Sequence, residues 1–375
     1  MPRPGCDEVV LVTGYPTFGA RQLVERILDA EPRTVVYAVV KPKLAELAAE
    51  HLGTLPPTHR ARIELLQGDA ASMDLGLSGA EFRQLSEEVD RIHHAAQVTY
   101  QGVDALTAKE VNVGATREAI ELARACKHLR AFVHHSTAFV SGDRTGLVRE
   151  NELLEDQKFR NVVEETKAKA ELLVRRARDK VPTIVLRPTM LVGDSRTGEI
   201  DRLDGPYLVV LLILSSPAEI AVPLPGRGDA PLHLVPVDYV TRAAHAIGRD
   251  HRAIGKTFHL VDPKPLTARR VFELVARAGG KRSPRGFIPV NLTKALLHTP
   301  GLERFAKSPR AFVDQLVTPV QYDARNTEAI LAGSGITCPP FETYVDQLVA
   351  FVRSRVEAQR ELRRVADEEV EDPLS

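Results

Sequence analysis

Polar, charged and very small residues stand where several apolar runs of this chain end. The residues at these ends are Thr13, Gly14, Lys41, Asp69, Ala95, Ala96, Thr137 and Pro188. Phosphorylated dinucleotides are bound by groups of these kinds: a glycine turn at the start of a helix, a cation, and a pair of small side chains. Because the carboxyl ends of parallel strands meet at one edge of a sheet, the spacing predicts a ligand site at that edge.

The first apolar run and the turn after it form the most informative stretch. Val9–Val12 is typical of a strand buried on both faces, and Thr13 and Gly14 end it. Apolar residues then recur at helical spacing from Phe18, which favours a strand, a glycine turn and a helix that offers its N–H groups to a pyrophosphate. The glycine pattern is incomplete, because the branched Thr17 stands where a second glycine would let the backbone approach a phosphate. The stretch also fits an ordinary strand-to-helix turn that binds nothing.

The end of the second predicted strand, Thr34–Val40, bears on the identity of a cofactor. In a dinucleotide fold a carboxylate there holds the ribose 2′-hydroxyl, whereas a cation accommodates a 2′-phosphate. The chain has Lys41 and no carboxylate at this point, which favours NADP over NAD. Lys41 also fits a solvated charge at a helix start. Asp69, after the third strand, could bond the adenine amino group or cap the next segment.

The remaining pattern predicts an α/β fold, a Rossmann-type doubly wound parallel sheet with a smaller, mostly helical C-terminal substrate lobe. The alternation of strands and helices ends near Pro188, so we expect an NAD(P)-binding domain over residues 1–190. A substrate-binding lobe over 191–355 is expected to interleave with the carboxyl edge of the sheet. Residues 356–375 are charged and are expected to form a frayed tail.

Composition excludes several other classes of function. The 375 residues include 50 basic and 50 acidic side chains, so bulk charge favours neither nucleic acid nor an anionic membrane. Three scattered cysteines fit a reducing compartment better than a disulfide framework or a metal site. The N-terminus lacks the apolar segment of a signal peptide, and Leu208–Leu214 is too short to span a bilayer. We therefore expect a cytoplasmic protein without a bound metal, a nucleic-acid partner or a membrane span.

A series of short motifs runs through the first half of the chain. They are Thr13-Gly14-x-x-x-Phe18, Gly68-Asp69 with Leu75-Gly76-Leu77-Ser78, His94-x-Ala96, Val111-Asn112-Val113-Gly114-Ala115-Thr116, Ser136-Thr137-Ala138-Phe139-Val140-x-Gly142, Asn161-x-x-Glu164-x-Thr166-Lys167-x-x-Ala170-Glu171 and Arg187-Pro188-Thr189. Each motif is weak alone, whereas the whole series in this order is strong evidence for a fold. On these motifs the chain resembles the extended short-chain dehydrogenase/reductase family and, within it, fatty acyl-CoA reductases and thioester reductase domains.

The resemblance implies NAD(P)-dependent hydride transfer to a carbonyl or a thioester. It implies that Thr137 holds the carbonyl oxygen, that Lys167 bonds the nicotinamide ribose and that Asn112 supports a proton-relay water. A tyrosine, whose pKa the lysine charge lowers, would deliver the proton. That tyrosine belongs four residues before Lys167, where this chain has Val163, which cannot donate a proton.

Three hypotheses account for this departure. In the first, another residue donates the proton, and the candidates are Tyr100, just after a strand end, and His135, two residues before Thr137 on the same strand. A packed loop aromatic and a core histidine are the simpler explanations for these two residues. In the second, the protein binds NADP without turnover, as a sensor, scaffold or partner subunit. In the third, an activated substrate such as a thioester needs no protein acid.

The sequence thus predicts an NADP-dependent oxidoreductase that reduces an acyl thioester, aldehyde or ketone, with NAD a less favoured cofactor. The apolar residues of Leu208–Leu214 could line a channel for a lipophilic substrate, although core packing explains most of them. The alternative is a catalytically degenerate NAD(P)-binding protein. The resemblance also implies a homodimer formed through the two long helices at Leu106–Cys126 and Asn161–Arg178.

Overall fold

A computed structural model describes residues 5–100, 102–217, 221–289 and 309–371 of the chain. It divides into two compact units. The first, the sheet unit, comprises Met1–Thr189, Val237–Pro263 and Pro319–Cys338. The second unit comprises Met190–Pro236, Lys264–Thr318 and Pro339–Ser375. Two segments from the C-terminal half therefore belong to the sheet unit, because they supply a strand and helices that pack on the sheet.

The elements of the described residues follow the chain in a largely alternating order. The strands are β1 Glu8–Thr13, β2 Thr34–Val40, β3 Ile63–Gln67, β4 Arg91–His94, β5 Ala131–His135, β6 Gly146–Val148, β7 Thr183–Pro188, β8 Met190–Val192, β9 Leu224–Pro225, β10 Leu234–Pro236, β11 Thr257–Leu260, β12 Phe287–Ile288 and β13 Val320–Tyr322. The helices are α1 Phe18–Ala30, α2 Ala45–Thr54, α3 Pro57–Arg60, α4 Gly79–Glu88, α5 Ala105–Ala108, α6 Ala115–Ala125, α7 Val162–Ala177, α8 Tyr207–Ser215, α9 Val237–Arg249, α10 Ala268–Ala278, α11 Pro309–Val317, α12 Arg325–Leu331 and α13 Val345–Glu371.

The sheet unit is built on a seven-stranded parallel sheet with the order β11-β7-β5-β4-β1-β2-β3. Apart from the half-buried edge strand β3, its strands are almost entirely buried, as expected for a sheet covered on both faces, although β4 carries the polar residues Arg91, His93 and His94. His94 reaches Thr116 of α6, whereas its neighbour His93 packs against Gly248 of α9. Because successive residues of a strand point to opposite faces, α6 and α9 cover opposite sides of the sheet. This arrangement confirms the predicted Rossmann-type fold.

Local sequence signals account for much of this architecture. The predicted limits of β2 and β5 agree with the structure. The Ser78-x-x-Glu81 pattern forms a complete capping box at the start of α4. The continuous helix expected over Leu106–Cys126 is wrong in detail, because residues Lys109–Gly114 between α5 and α6 have the wider π-helical turn. Such turns occur often at functional sites.

The second unit is mostly helical, and short parallel strand pairs complete it. Helix α8 contacts α10 and α13 within this unit. Within the apolar stretch Leu208–Leu214, Val210, Leu211 and Ile213 are buried as core residues, whereas Leu212 is 40% exposed and the other three are partly buried. Helix α13 continues through Glu371, and the last residues of the predicted tail, 372–375, lie outside the described residues. Among the described residues no helix combines the length and apolar character needed to cross a bilayer.

Candidate active site

The turn between β1 and α1 is pressed against the end of β4. Gly14 has a φ of +86°, and a Cβ built on it would lie 2.6 Å from the carbonyl oxygen of Ala95, so only glycine fits. The backbone N–H of Ala96 donates to Thr13 Oγ1 over 3.2 Å. Thr17 is exposed and its side chain makes no cap hydrogen bond, so it does not occupy the N–H groups of the first turn of α1. This is the geometry in which a helix N-terminus receives a phosphate.

A hydrogen-bonded triad that the sequence did not suggest links this turn to two helices; Tyr15 and His51 are buried in it and Glu25 is partly exposed. The Tyr15 hydroxyl lies 2.5 Å from His51 Nδ1, and His51 Nε2 lies 2.8 Å from Glu25 Oε1. Tyr15 is 1% exposed, and burial raises its pKa to about 12. The triad therefore ties the turn to α1, which carries Glu25, and to α2, which carries His51.

Lys41 and Asp69, the predicted cofactor residues at the ends of β2 and β3, form an ion pair. Lys41 Nζ lies 3.0 Å from Asp69 Oδ2, and about one third of each side chain is exposed. The other carboxylate oxygen of Asp69 accepts the backbone N–H of Ala71 over 3.0 Å. This second contact is a local turn within two residues of Asp69, and the roles predicted for Asp69 toward a nucleotide or as a cap stay predictions. The pairing with Lys41 brings together two residues that were predicted to touch the same nucleotide.

Lys167 lies on α7 and is almost fully buried. Its Nζ donates to the side-chain oxygen of Gln97 and, over 3.3 Å, to the carbonyl oxygen of Ser136. Burial lowers the pKa of Lys167 to about 7, against the opposing effect of Glu171. Gln97 carried no sequence signal of its own, since it follows Ala95 and Ala96 as an ordinary loop residue. A lysine in this state can give up or take a proton near neutral pH.

Thr137 lies two residues after the end of β5 and is the N-cap of the short 3₁₀ turn Ala138–Ser141. Its hydroxyl donates to the carbonyl oxygen of Pro188 over 3.3 Å and accepts the N–H of Phe139 over 3.3 Å. Two predicted site residues, Thr137 and Pro188, are therefore in direct contact. The carbonyl of the adjoining residue, Ser136, accepts from Lys167, so the lysine contacts the residue next to Thr137.

Val163, one helical turn before Lys167, lies in an apolar cluster. The cluster consists of Val98, Val103, Ala108 and Val163, with Tyr100, Val111 and Val162 packed against it. The place that the resemblance assigns to a tyrosine is thus lined by hydrocarbon. Tyr100 is the hydroxyl-bearing residue that packs against this cluster, which keeps it as a candidate proton donor.

Asn112 lies in the π-helical segment and is 2% exposed. Its side-chain oxygen accepts the N–H of Val98 over 2.8 Å, and its amide nitrogen donates to Thr166 Oγ1 over 2.9 Å. Asn112 thereby links the loop after β4 to α7 at the residue next to Lys167. The structure brings Asn112, Lys167 and the Tyr100 loop together.

The His135 side chain faces His93. Its Nε2 lies 3.2 Å from Nδ1 of His93, whose neighbour is Gly248 of α9. Ser136, the next residue, donates its hydroxyl to Glu171 of α7, so His135 points to the opposite face of the sheet. Burial and then the Lys167 charge lower the pKa of His135 to about 4, which keeps it neutral near pH 7. This orientation and charge state argue against His135 as the acid.

A dinucleotide-type turn and a buried lysine at one edge of a parallel sheet are the arrangement of an extended short-chain dehydrogenase/reductase. The family model described as male sterility protein, an NAD-binding family, matches residues 12–244, and the chain belongs to this family. The match confirms the resemblance drawn from the motifs. That Val163 replaces a tyrosine stays a prediction.

Individual relatives agree with this assignment. The chain is 26% identical over 284 residues to "Fatty acyl-CoA reductase wat" of Drosophila melanogaster, covering 65% of this chain and 54% of that protein. It is 29% identical over 207 residues to a linear gramicidin synthase of Brevibacillus parabrevis, covering 54% of this chain and 4% of that protein. The chain spans about half the length of the first fatty acyl-CoA reductases that it matches, 54% and 53%.

Solved structures resemble nearly the whole chain. The terminal R domain from the myxalamid PKS-NRPS biosynthetic pathway is 25% identical with a TM-score of 0.80, and the match covers 94% of this chain and 92% of that one. A thiolation-reductase di-domain from an archaeal non-ribosomal peptide synthetase is 15% identical with a TM-score of 0.72, covering 93% of this chain and 76% of that one. The second likeness concerns the fold alone.

Proposed function

We propose that the protein is an NADP-dependent reductase of an acyl thioester, aldehyde or ketone. The observation that carries the proposal is Lys167, a buried cation that both Gln97 and Ser136 hold with neutral oxygen atoms at the carboxyl edge of the sheet. Buried charges that have no opposite charge in contact are costly, and they are concentrated at functional sites.

The residues at this edge fit a dinucleotide. Gly14 leaves the space beside Ala95 that a Cβ would fill, and α1 begins next to it without a cap from Thr17. These backbone groups, with Phe18 at the helix start, would hold the pyrophosphate. Lys41 would bind a 2′-phosphate, and Asp69 would orient the Lys41 side chain through their ion pair. Ala95 and Ala96 would leave room for the nicotinamide half, and Pro188 would border it.

The cofactor, when bound, supplies a hydride to the substrate carbonyl carbon. The Thr137 hydroxyl would exchange its contact with the Pro188 carbonyl for the substrate oxygen. Lys167 would hold the nicotinamide ribose and stabilise negative charge that develops nearby. Tyr100 would deliver the proton, and Asn112 would keep the Tyr100 loop in place through its contacts with Val98.

The substrate class is supported by the relatives. A fatty acyl-CoA reductase and the terminal R domain from a PKS-NRPS biosynthetic pathway are among the proteins that this chain resembles. Both likenesses are compatible with a substrate that carries an activated or lipophilic acyl group. A thioester is reduced by hydride addition to the carbonyl carbon and loss of the thiolate, which then takes up a proton.

Binding of NADPH and NADH to the purified protein, measured by calorimetry, tests the proposal first. We expect micromolar affinity for NADPH, about −8 kcal/mol, and much weaker affinity for NADH. Oxidation of bound NADPH by acyl-CoA thioesters and aldehydes of increasing chain length would then identify the substrate. Failure to bind either nucleotide would contradict the proposal, since Thr17 would then have closed the turn to phosphate.

A second function is favoured by the apolar surroundings of Val163. In this case the chain binds NADP as a sensor, scaffold or partner subunit and catalyses no hydride transfer. One experiment distinguishes the two functions. Micromolar NADPH binding without oxidation by any thioester or aldehyde, together with turnover gained by Val163→Tyr, would favour the binding function.

A further inference from the structure

His94, the last residue of β4, joins two parts of the candidate site that are far apart in sequence. Its Nδ1 lies 2.9 Å from Thr13 Oγ1 at the start of the turn between β1 and α1, the phosphate turn of the proposed NADP site. Its Nε2 lies 3.0 Å from Thr116 Oγ1 on α6. The Thr116 hydroxyl lies 2.7 Å from the carbonyl oxygen of Asn112. Thr13, His94, Thr116 and Asn112 are all at most 2% exposed, so water does not replace these bonds.

The protons in this chain can be assigned by counting, because each hydroxyl has a single proton. Thr13 Oγ1 accepts the N–H of Ala96 over 3.2 Å, so its own proton is available for His94 Nδ1. The Thr116 proton goes to the carbonyl of Asn112, which accepts only, so Thr116 Oγ1 must accept from His94 Nε2. The Thr116 end therefore requires a proton on Nε2, and the Thr13 end, where the hydroxyl proton is available, is satisfied when Nδ1 accepts, which is the neutral imidazole with its proton on Nε2.

The surroundings of His94 favour this neutral form. Burial lowers the pKa of His94 well below its usual range, and His134, His135 and Lys167 lower it further. The charged and titratable groups nearest the ring are therefore cationic or neutral, and none of these groups would stabilise a second proton. The ring of His134 stacks on His94 with centroids 5.7 Å apart.

We propose that His94 is a positioning residue. It holds the phosphate turn and the π-helical Asn112 segment in fixed positions relative to the end of β4. One direct hydrogen bond fixes Thr13, which borders Gly14, and the path through Thr116 fixes the backbone at Asn112. The functional part of this inference rests on the proposed NADP site. The hydrogen-bond chain itself is a property of the protein without any ligand.

The tautomer of His94 in the wild-type protein tests the chain directly. In a long-range ¹H–¹⁵N correlation spectrum of ¹⁵N-histidine-labelled protein, we expect Nδ1 of His94 at the position of an acceptor nitrogen and Nε2 at that of a protonated one. The signal is identified by its loss in His94→Asn, and we expect it to stay unchanged from pH 8 to pH 5. A proton on Nδ1, or titration within this range, would overturn the proposal even if NADPH binds.

Three substitutions separate the two hydrogen bonds. The amide oxygen of His94→Asn can replace Nδ1 and keep the bond to Thr13, whereas the amide nitrogen of His94→Gln can replace Nε2 and keep the bond to Thr116. His94→Phe keeps the ring and loses both bonds. We expect the Kd for NADPH to rise by about three- to tenfold for Gln, by less for Asn and by the most for Phe, since each lost buried bond leaves an unpaired group.

His134→Phe is the matched control, because His134 is an equally buried neighbour whose Nδ1 has no hydrogen-bond partner among the described residues. We expect its affinity for NADPH to stay within about twofold of the wild type. Equal affinities for all His94 variants, each checked for folding by circular dichroism, would overturn the positioning role. Absence of NADPH binding by the wild type would instead refute the proposed function and leave the tautomer as the test.

Discussion

Two buried cations close to one another in the sheet unit, Arg187 and Lys167, differ in how they are compensated. Arg187 is 0% exposed and forms two bonds to Glu171, of 2.9 and 2.7 Å, with a further bond to the carbonyl of Glu152. Although burial opposes the charged form, Arg187 and Arg175 hold the pKa of Glu171 below its usual value. Lys167 lies one helical turn before Glu171, and both acceptors that it contacts in the described part of the chain are neutral.

The difference separates a structural charge from a functional one. Arg187 and Glu171 satisfy each other, so their burial holds β7 and α7 together and leaves no charge to act on a ligand. Lys167 is buried with no ion pair among the described residues, so its pKa falls to about 7 and near neutral pH it can take up or release a proton at the site. Substitutions that remove one group at a time should therefore affect either stability or function.

Replacement of Arg187 should have the largest effect on stability. Arg187→Met leaves Glu171 buried with part of its compensation removed, and we expect a loss of about 3–5 kcal/mol in the free energy of unfolding. Lys169→Met, on α7 but in an exposed pair with Glu165, should cost less than about 1 kcal/mol. Urea unfolding followed by circular dichroism measures both. Similar losses for the two variants would mean that the Arg187 pair is not structural.

Replacement of Lys167 should reduce function and spare stability. For Lys167→Met we expect NADPH-dependent turnover to fall by about 100-fold or more, because a charge at the reacting centre is lost. The cost of burying the cation disappears at the same time, so unfolding at pH 7 should require no less urea than in the wild type. Steady-state NADPH oxidation and urea unfolding, with Lys169→Met as control, test this pair of outcomes.

The pH dependence of stability should identify the same lysine. An unfolded lysine loses its proton near pH 10.5, whereas Lys167 loses it near pH 7 in the folded protein. Between these values the unfolded chain holds a proton that the folded chain lacks, so unfolding takes up a proton and the free energy of unfolding rises with pH. The wild type minus Lys167→Met difference should therefore rise from pH 7 to 10.5. If this difference in the free energy of unfolding does not change with pH, the pKa of Lys167 is that of an ordinary lysine.

Tyr100 should matter for proton transfer and not for cofactor binding. We expect Tyr100→Phe to lower turnover by about 100-fold with an unchanged Kd for NADPH, since only the hydroxyl is removed. His135→Asn, on the opposite face of the sheet, should leave turnover within about threefold. Unchanged turnover in Tyr100→Phe would favour a substrate that needs no protein acid.

Lys41, a partly exposed cation, should give the smallest effect. Lys41→Glu places a second carboxylate beside Asp69 and should weaken NADPH binding by about tenfold, or 1.4 kcal/mol, without weakening NADH binding. Lys43→Glu, two residues away and exposed, is the control and should change neither affinity by more than about twofold. Equal losses of affinity for NADPH and NADH would show that Lys41 does not bind the 2′-phosphate.

Features set by short stretches of chain could be predicted from the sequence. The apolar runs predicted β1, β2 and β5, and Ser78 with Glu81 predicted the start of α4, because these signals act over a few residues. The edge where Gly14 meets Ala95 also followed from the parallel topology.

Features set by distant contacts could not be predicted. The π-helical turn at Asn112 depends on bonds to Val98 and Thr166, the second of which is 54 residues away. The addition of β11 to the sheet depends on packing across much of the chain. His94 joins Thr13 and Thr116 only because the register of β1 and β4 places Thr13 opposite it.

Transfer of deuterium tests the central claim most directly. NADPH that carries deuterium at C4 of the nicotinamide is incubated with the protein and a long-chain acyl-CoA or aldehyde, and the product is examined by mass spectrometry. We predict deuterium on the carbon of the former carbonyl with the wild type and its loss with Lys167→Met. Micromolar NADPH binding with no labelled product from any thioester, aldehyde or ketone would contradict the reductase function.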